Sequence, residues 1–380
     1  MIDMDRRELV PQTIRALPAY APGKPLKQAE LETGLRMEKM ASNENPFGPS
    51  PAAIEAMREA VSRVHLYPDN NASELVTELA QRHRLQPEQV LLTCGSTQFL
   101  DIIARTLLRS GLNAVTSERS FIIYPIATGA AGANLIQVPM NNDTFDLEAI
   151  LGAIDENTRI VFIANPNNPT GTLIDSTTMD RFVECVPENV TVVLDEAYYE
   201  FAEYFATLRG LQYTHSLDYV RANRNVVVLR TFSKAQGLAG QRIGYGFGPA
   251  DLMQYFARVR TAFSVNEVAQ AGALAALNDE AHVRRTVENN ASGAALLTTR
   301  LSAMGLRVVP TWANFLFVEV GQKALEISAA LQNKGVIVRP MGGLWGAPYA
   351  IRVTIGLPEQ NEKFLKALDE VLRANLATAT

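Results

Sequence analysis

Between residues 90 and 247 the chain carries seven short apolar runs, at 90–93, 114–117, 135–139, 160–164, 191–194, 226–229 and 243–247. Each is too short for a buried helix, and several are rich in valine and isoleucine, so each predicts a buried strand. Amphipathic stretches at 98–109, 124–131, 147–154 and 179–186 predict helices between them. This alternation is the βαβ rhythm of a mostly parallel sheet covered on both faces, an α/β fold. Upstream, Pro51 occupies a permitted first-turn position for a helix over 52–62, and 74–84 predicts another. Two further helices are predicted to about 260 and over 266–277.

After about residue 275 the rhythm changes. A helix at 282–304 is followed by strands at 307–309 and 315–320 and a helix at 323–334. Strands at 336–339 and 350–355 come next, then a terminal helix from near Pro358. Segregation of this kind predicts a smaller α+β domain. Residues 1–45, with Pro11, Pro18, Pro22 and Pro25, read as an irregular arm joining it. The expected division is therefore arm 1–45, large α/β domain 46–275 and small domain 276–380.

Composition narrows the function. A formal net charge of -5 over 380 residues argues against a nucleic-acid or anionic-membrane surface as partner. Cys94 and Cys185 lack redox or metal spacing, and His65, His83, His215 and His282 are scattered, so no metal is expected. The N-terminus MIDMDRRELV has no signal-peptide core, and no run reaches bilayer length. A cytoplasmic protein is expected.

The chemistry sits where the strands end. Run 160–164 ends in NPNNPTG, run 191–194 in Asp195-Glu196-Ala197-Tyr198, and run 226–229 leads to Thr231, Ser233 and Lys234. Gly237 and Gly240 follow, then Arg242. Alone, such a lysine reads equally as a solvated side chain in a Gly-rich loop. Three strand ends bearing polar groups change that, because open α/β sheets bind ligands at the carboxyl ends of their strands. Gly95-Ser96-Thr97 opens a helix whose free N–H groups suit a phosphate, though an ordinary N-cap would look the same.

This inventory suits pyridoxal 5'-phosphate. Lys234 would form the Schiff base, and Asp195 would keep the pyridine nitrogen protonated. Asn168 and Tyr198 would donate to the ring oxygen. Ser96, Thr97, Thr231, Ser233 and Arg242 would hold the phosphate. Arg352 could clamp a substrate carboxylate. The plainer readings are a surface acid for Asp195, an exposed strand arginine for Arg352 and a turn tyrosine for Tyr67.

Order and spacing of the motifs go further. ASNENPFGPSP, HLYPD, ANPNNPTGT, VVLDEAYYEF, RTFSKAQGLAGQRIGYG, TWANF and VIVRPM…AIRVTIG run nearly end to end. Together they resemble the class I/II, fold-type I aminotransferases, and among them the histidinol-phosphate aminotransferase subfamily. The resemblance implies a homodimer whose large domain holds a mostly parallel seven-stranded sheet. It implies that Lys234 also moves the proton between substrate and cofactor. Asp195, Asn168 and Tyr198 match ring-binding residues, and Tyr124 matches the aromatic residue that stacks on the ring. Gly95, Ser96, Thr231, Ser233 and Arg242 match the phosphate cup. Tyr67 matches a tyrosine lent to the neighbouring subunit's phosphate. Arg352 matches the α-carboxylate arginine, Arg339 the arginine near the distal phosphate, and Tyr20 an arm tyrosine near substrate. Asn43, within ASNENPFGPSP, is a further candidate substrate contact. Thr97-Gln98 replaces a commoner Asn-Glu or Asp-Glu, and Ser264 replaces an asparagine.

The activity expected is amino transfer between histidinol phosphate and 2-oxoglutarate, with glutamate giving its amine to the cofactor. Aromatic amino-acid transfer is a close rival, since Arg339 can serve a phosphate or a carboxylate. A decarboxylase of a phosphorylated amino acid would share most motifs. A nicotinamide enzyme is disfavoured, because Gly244, Gly246 and Gly248 alternate with apolar residues as in a strand and lack G-x-G-x-x-G spacing. A DNA-binding regulator is disfavoured because the arm leaves no room for a helix-turn-helix domain.

Overall fold

The computed structural model describes residues 5–19 and 24–377. Its strands begin with β1 (Glu38–Lys39), β2 (Val90–Thr93), β3 (Asn113–Ser117), β4 (Asn134–Val138), β5 (Met140–Asn141) and β6 (Thr144–Phe145). Next come β7 (Thr158–Ala164), β8 (Thr191–Asp195), β9 (Val226–Thr231) and β10 (Gly244–Phe247). The last are β11 (Arg307–Val309), β12 (Phe315–Glu319), β13 (Val336–Ile337), β14 (Arg339–Pro340) and β15 (Ala350–Thr354).

All seven apolar runs enter one seven-stranded sheet, ordered β2-β10-β9-β8-β7-β3-β4. Strand β10 is antiparallel to both neighbours, and the other pairs are parallel. Strands β8 and β9 are buried along their whole length. Val226, Val227, Val228 and Leu229 are at most 1% exposed. Each such side chain contributes roughly 1.5–3 kcal/mol by leaving water, which pins the strand and so the loop after it. The glycines of 243–248 lie in and beside β10, so that segment is a strand rather than a dinucleotide turn.

A second, antiparallel sheet has the order β11-β12-β15-β14. It shares a core with the helices Glu280–Ala303, Ala324–Gln332 and Pro358–Ala377 through Leu297, Leu331, Phe364 and Leu368. A smaller cluster of Tyr198, Phe201, Ala235, Val287, Ala313 and Phe315 joins the two sheets beside the lysine loop.

Three expectations need correction. The arm is not wholly irregular: Leu26–Thr33 is a helix started by Pro25 and stopped by left-handed Gly34, and β1 pairs in parallel with β13. The predicted strand 336–339 is two strands, because the chain changes partner at Val338, from β1 to β15. The helices Tyr199–Arg209 and Ser216–Arg221 were not predicted. For the first, the signal existed in Phe201/Phe205 and Ala202/Ala206, all buried at i, i+4 spacing. Among the described residues, no helix is long and apolar enough to cross a membrane.

Candidate active site

Register brings the chemistry together. Ala164 of β7 lies opposite Asp195 of β8, and Asp195 opposite Leu229 of β9, so the three parallel strands end side by side. Above them is a cavity of about 270 Å³. Its walls come from these strand ends, the loop Ser233–Arg242, the start of the helix Ser96–Leu107, the segment 41–44, and Arg339, Trp345 and Arg352.

Lys234 stands in the middle. Its Nζ donates to the Ser42 carbonyl at 3.4 Å and lies 5.6 Å from the centre of the Tyr198 ring. Burial pushes its amine down to about 8; Arg352 and Arg242 push the same way, while Glu44 and Asp195 oppose them. An amine in that range is a usable nucleophile and proton carrier near neutral pH. The loop bearing it is fixed by Gly237, whose left-handed backbone (φ +73°) passes so close to the Gly48 carbonyl that a Cβ would collide with it. Gly240, by contrast, faces open space.

Asp195 lies beneath the cavity and is 4% exposed. Burial pushes its carboxyl up to about 6, against hydrogen bonds from the Tyr124 hydroxyl at 3.2 Å and the Ala197 N–H at 3.3 Å. A cationic N–H from a bound ring would reverse that penalty. The stacking role expected of Tyr124 does not fit its position. Its ring is fully buried, stacked on Phe162 at 4.8 Å, and its hydroxyl orients Asp195 from behind. Phe121, three residues earlier, lines the cavity instead. The helical N-terminus at Ile123 turns the two aromatic residues to different sides.

At one end the donors expected of a phosphate cup converge. Ser96 and Thr97 begin the helix Ser96–Leu107, and both line the cavity. Gly95 precedes them at φ +80°, and a Cβ there would stand 2.5 Å from Arg242 Nη2. The missing side chain is what lets the guanidinium reach the helix end. Arg242 also donates to the Ala239 carbonyl at 2.9 Å and to Ser233 Oγ at 3.5 Å. Thr231 Oγ1 donates to Ser233 Oγ at 3.0 Å and accepts from the Ser233 N–H at 3.1 Å. Of the Thr97-Gln98 replacement, only Thr97 meets the cavity; Gln98 accepts from the Cys94 N–H at 2.7 Å.

The other end is assembled from distant parts. Arg352 is 5% exposed; it donates to Asn168 Oδ1 at 2.5 Å and to the Ala41 carbonyl at 2.9 Å. Asn43 donates through Nδ2 to the Tyr198 hydroxyl at 2.9 Å and accepts from Thr354 Oγ1 at 3.2 Å. Arg339 of β14 is the register partner of Arg352 in β15, so two guanidinium-bearing residues stand side by side on one wall. Like charges placed directly across strands repel, and an anion between them relieves that. Trp345, 6% exposed, closes this wall 5.5 Å from the Arg352 guanidinium.

Two expected residues are elsewhere. Tyr67 is 84% exposed and stacks on Phe263 at 4.7 Å, outside this chain's cavity. Tyr20 lies outside the described residues. Sequence reasoning missed Ser42, Glu44, Phe121 and Trp345. Ser42 and Glu44 flank Asn43 and could have been found with it; Trp345 gave only a glycine-flanked aromatic residue as signal.

These residues fit pyridoxal 5'-phosphate. Phosphate donors sit at one end, a buried acid lies beneath the centre, an amine of lowered basicity stands between, and a glycine leaves the room the phosphate arginine needs.

Known proteins point the same way. A model of the family described as aminotransferase class I and II matches residues 36–368. A histidinol-phosphate aminotransferase 2 of Pseudomonas fluorescens (strain Pf0-1) is 46% identical over 94% of this chain and 96% of its own length. A histidinol-phosphate aminotransferase of Moorella thermoacetica is 42% identical over 95% of this chain and 92% of its own. The crystal structure of histidinol-phosphate aminotransferase from Sinorhizobium meliloti in complex with pyridoxal-5'-phosphate superposes with a TM-score of 0.87. It is 28% identical and covers 98% of this chain and 100% of its own.

Proposed function

Because the chain belongs to the aminotransferase class I and II family, we propose that it moves an amino group between histidinol phosphate and 2-oxoglutarate. It is a pyridoxal-phosphate-dependent aminotransferase. When bound, the cofactor supplies an aldehyde that accepts the amino group and a ring that accepts electrons from the substrate Cα.

The rest is done by this chain's side chains. Lys234, central and of lowered basicity, holds the proton taken from Cα and returns it on the cofactor side. Asp195 keeps its negative charge against the ring nitrogen, and Tyr124 holds that carboxylate in place. Asn168 and Tyr198, which line the cavity, would donate to the ring oxygen, and Ser96, Thr97, Thr231, Ser233 and Arg242 would hold the phosphate. Phe121, which lines the cavity, would cover the ring face in the role that Tyr124 does not fill.

The observation that carries the substrate reading is the Arg339–Arg352 register pair on one wall of the cavity. Histidinol phosphate bears one anionic group, a phosphate dianion, which two adjacent guanidinium groups can share. 2-Oxoglutarate and glutamate bear two carboxylates, one for each arginine. The aromatic walls Phe121 and Trp345 favour a second reading, transfer from free phenylalanine or tyrosine. Steady-state kinetics with histidinol phosphate beside phenylalanine and tyrosine decide between them. We expect histidinol phosphate to have the highest kcat/KM. A preference of more than about tenfold for the free aromatic amino acids would reverse the assignment.

We further propose a cytoplasmic homodimer acting in histidine formation, with both cysteines free. The exposed apolar side chains Val61, Val64, Leu66, Tyr67 and Phe263 support the dimer, with Tyr67 reaching the partner's phosphate cup. Tyr67→Phe should then weaken cofactor retention, and unchanged retention would remove Tyr67 from that role. Residues 46–275 would form the cofactor-binding domain and 276–380 the small domain, to which the β1–β13 pairing ties the arm.

A further inference from the structure

Trp345 closes the arginine wall from the connection between β14 and β15, not from either strand. It packs with Met341, Ala347 and Ile122 against Val309 of β11 and Phe317 of β12, with Phe121 and Tyr349 at the margin of the same cluster. Phe121 and Ile122 stand just before the helix Ile123–Ala130, so parts from both sheets' surroundings meet in this cluster. Apolar packing of this kind is non-directional. It buries the indole without fixing where along the wall the indole stands.

Polar contacts supply the direction. Arg119 lies in the bend after β3, two residues before Phe121, in left-handed backbone (φ +51°) that a residue with a side chain adopts where its surroundings hold it. Its Nη1 donates to Asp143 Oδ1 at 2.9 Å and to the Tyr349 hydroxyl at 3.1 Å. Its stem runs beside Gly346, where a Cβ would stand 3.4 Å from Arg119 Cγ. Asp143 belongs to the tip of the β5–β6 hairpin, a place that usually faces water, yet it is 5% exposed. Arg307 of β11 covers its other oxygen, Nη2 donating to Oδ2 at 2.6 Å, and also pairs with Glu319 of β12. Asn167 Nδ2 donates to the Arg119 carbonyl at 3.1 Å, and Ser120 Oγ donates to Asn167 Oδ1 at 2.9 Å. These two bonds tie the bend to the loop that carries Asn168. None of Arg119, Asp143 and Tyr349 lines the cavity.

We propose that Arg119 is a positioning residue for the substrate end of the cavity: by bridging Asp143 and Tyr349 it holds the 342–349 connection, and with it Trp345, closed over the arginine wall. Charge-assisted hydrogen bonds to a buried carboxylate are short and directional, so they set a position that apolar contact leaves open. The consequence lies in the wall itself. Trp345, 5.5 Å from the Arg352 guanidinium, shields the wall from water, so an anion feels Arg352 and Arg339 at a lowered effective dielectric. Release of the connection admits water there and weakens that attraction. The phosphate end, built from other elements, is untouched. The inference rests on the reading that the arginine wall takes the substrate anion.

Kinetics of the Arg119→Gln and Tyr349→Phe holoenzymes test this. We expect KM for histidinol phosphate and for glutamate to rise about tenfold in Arg119→Gln and about threefold in Tyr349→Phe, with kcat within about twofold, the pattern of lost uniform binding. Cofactor retention on dialysis should match the parent. Both bonds leave one nitrogen, so the ammonium of Arg119→Lys can replace them and should restore most of KM. The chain has two tryptophans. With Trp312→Phe as background, acrylamide quenching reports Trp345 alone and should increase in Arg119→Gln and Tyr349→Phe. Tyr349→Phe removes one oxygen from a half-buried ring, so it tests the proposal even if Arg119→Gln misfolds. Joint loss of kcat, cofactor and thermal stability with KM unmoved would make Arg119 a purely structural residue and overturn the proposal; unchanged KM and quenching would do so as well. Arg352→Gln, run alongside, separates the two readings. If it too leaves KM unmoved, the arginine wall is not the anion site; if it alone raises KM, the wall stands and only the role of Arg119 falls.

Discussion

At the phosphate end of the lysine cavity, hydrogen bonds close within a few residues; at the arginine end they span most of the chain. Thr231 and Ser233 bond across two positions, and Arg242 reaches Ala239 three positions back. Arg352 reaches Ala41 across 311 positions and Asn168 across 184. One end is a local turn, stapled to the buried strand β9 and set against the start of the helix Ser96–Leu107. The other exists only when two sheets and the segment 41–44 are already packed. The difference teaches that the groups expected to hold the cofactor are placed by short motifs at the ends of buried strands and one helix, while those expected to hold the substrate are placed by packing between the two sheets.

The largest effect should come from the residue both ends share. Lys234→Ala is expected to cut turnover by at least about four orders of magnitude, the upper range for a positioned acid–base group. It should also remove the visible absorbance that bound cofactor gives. Stopped-flow turnover and a spectrum of the purified variant check both, and retained turnover would displace Lys234 from the centre of the chemistry.

Arg352→Gln should separate the two ends. Loss of a buried guanidinium that binds an anion costs about 3 kcal/mol, on the order of 100-fold in kcat/KM. Cofactor affinity should stay within a few-fold. An equal loss in both would show that the ends are one unit.

The reverse change is Gly95→Ala. It puts a Cβ into left-handed backbone and against Arg242, with about 1–3 kcal/mol of strain. Cofactor retention should fall roughly tenfold while substrate KM holds, as dialysis followed by kinetics would reveal.

The same asymmetry governs what the sequence discloses. The seven apolar runs became the seven strands of the large sheet; its parallel strands β8 and β9, buried along their whole length, are written as continuous β-branched runs. Asp195, Thr231, Ser233 and Lys234 were legible because each follows such a run within a few residues, and Arg242 because it directly precedes one. Tyr124 was misassigned because motif position does not fix which way a helix-start aromatic points; the turn that opens the helix at Ile123 leaves Phe121 on the cavity and Tyr124 in the core. Trp345 and the adjacency of Arg339 and Arg352 come from pairing between β14 and β15, which no local spacing encodes. The helix Leu26–Thr33 was hidden by the prolines around it, since Pro25 marks its start rather than a lack of structure.

The smallest effect tests whether the ends communicate through charge alone. Burial is the main reason the Lys234 amine lies at about 8, and Arg352 is the next. A lowered lysine pKa means that the neutral, nucleophilic form grows as pH rises and reaches its plateau above about 8. Capture of pyridoxal phosphate by cofactor-free protein should therefore slow about tenfold per unit below that value and level off above it. Asp195, at about 6, is already ionised across most of this window. Removing the positive charge in Arg352→Gln relieves the ammonium form, so the midpoint should move up and capture at pH 7 should fall roughly threefold, as a half-unit shift gives. The measurement is the growth of cofactor absorbance against pH in parent and variant. Coincident profiles would mean that the arginine wall acts on substrate only, and that desolvation alone sets the lysine.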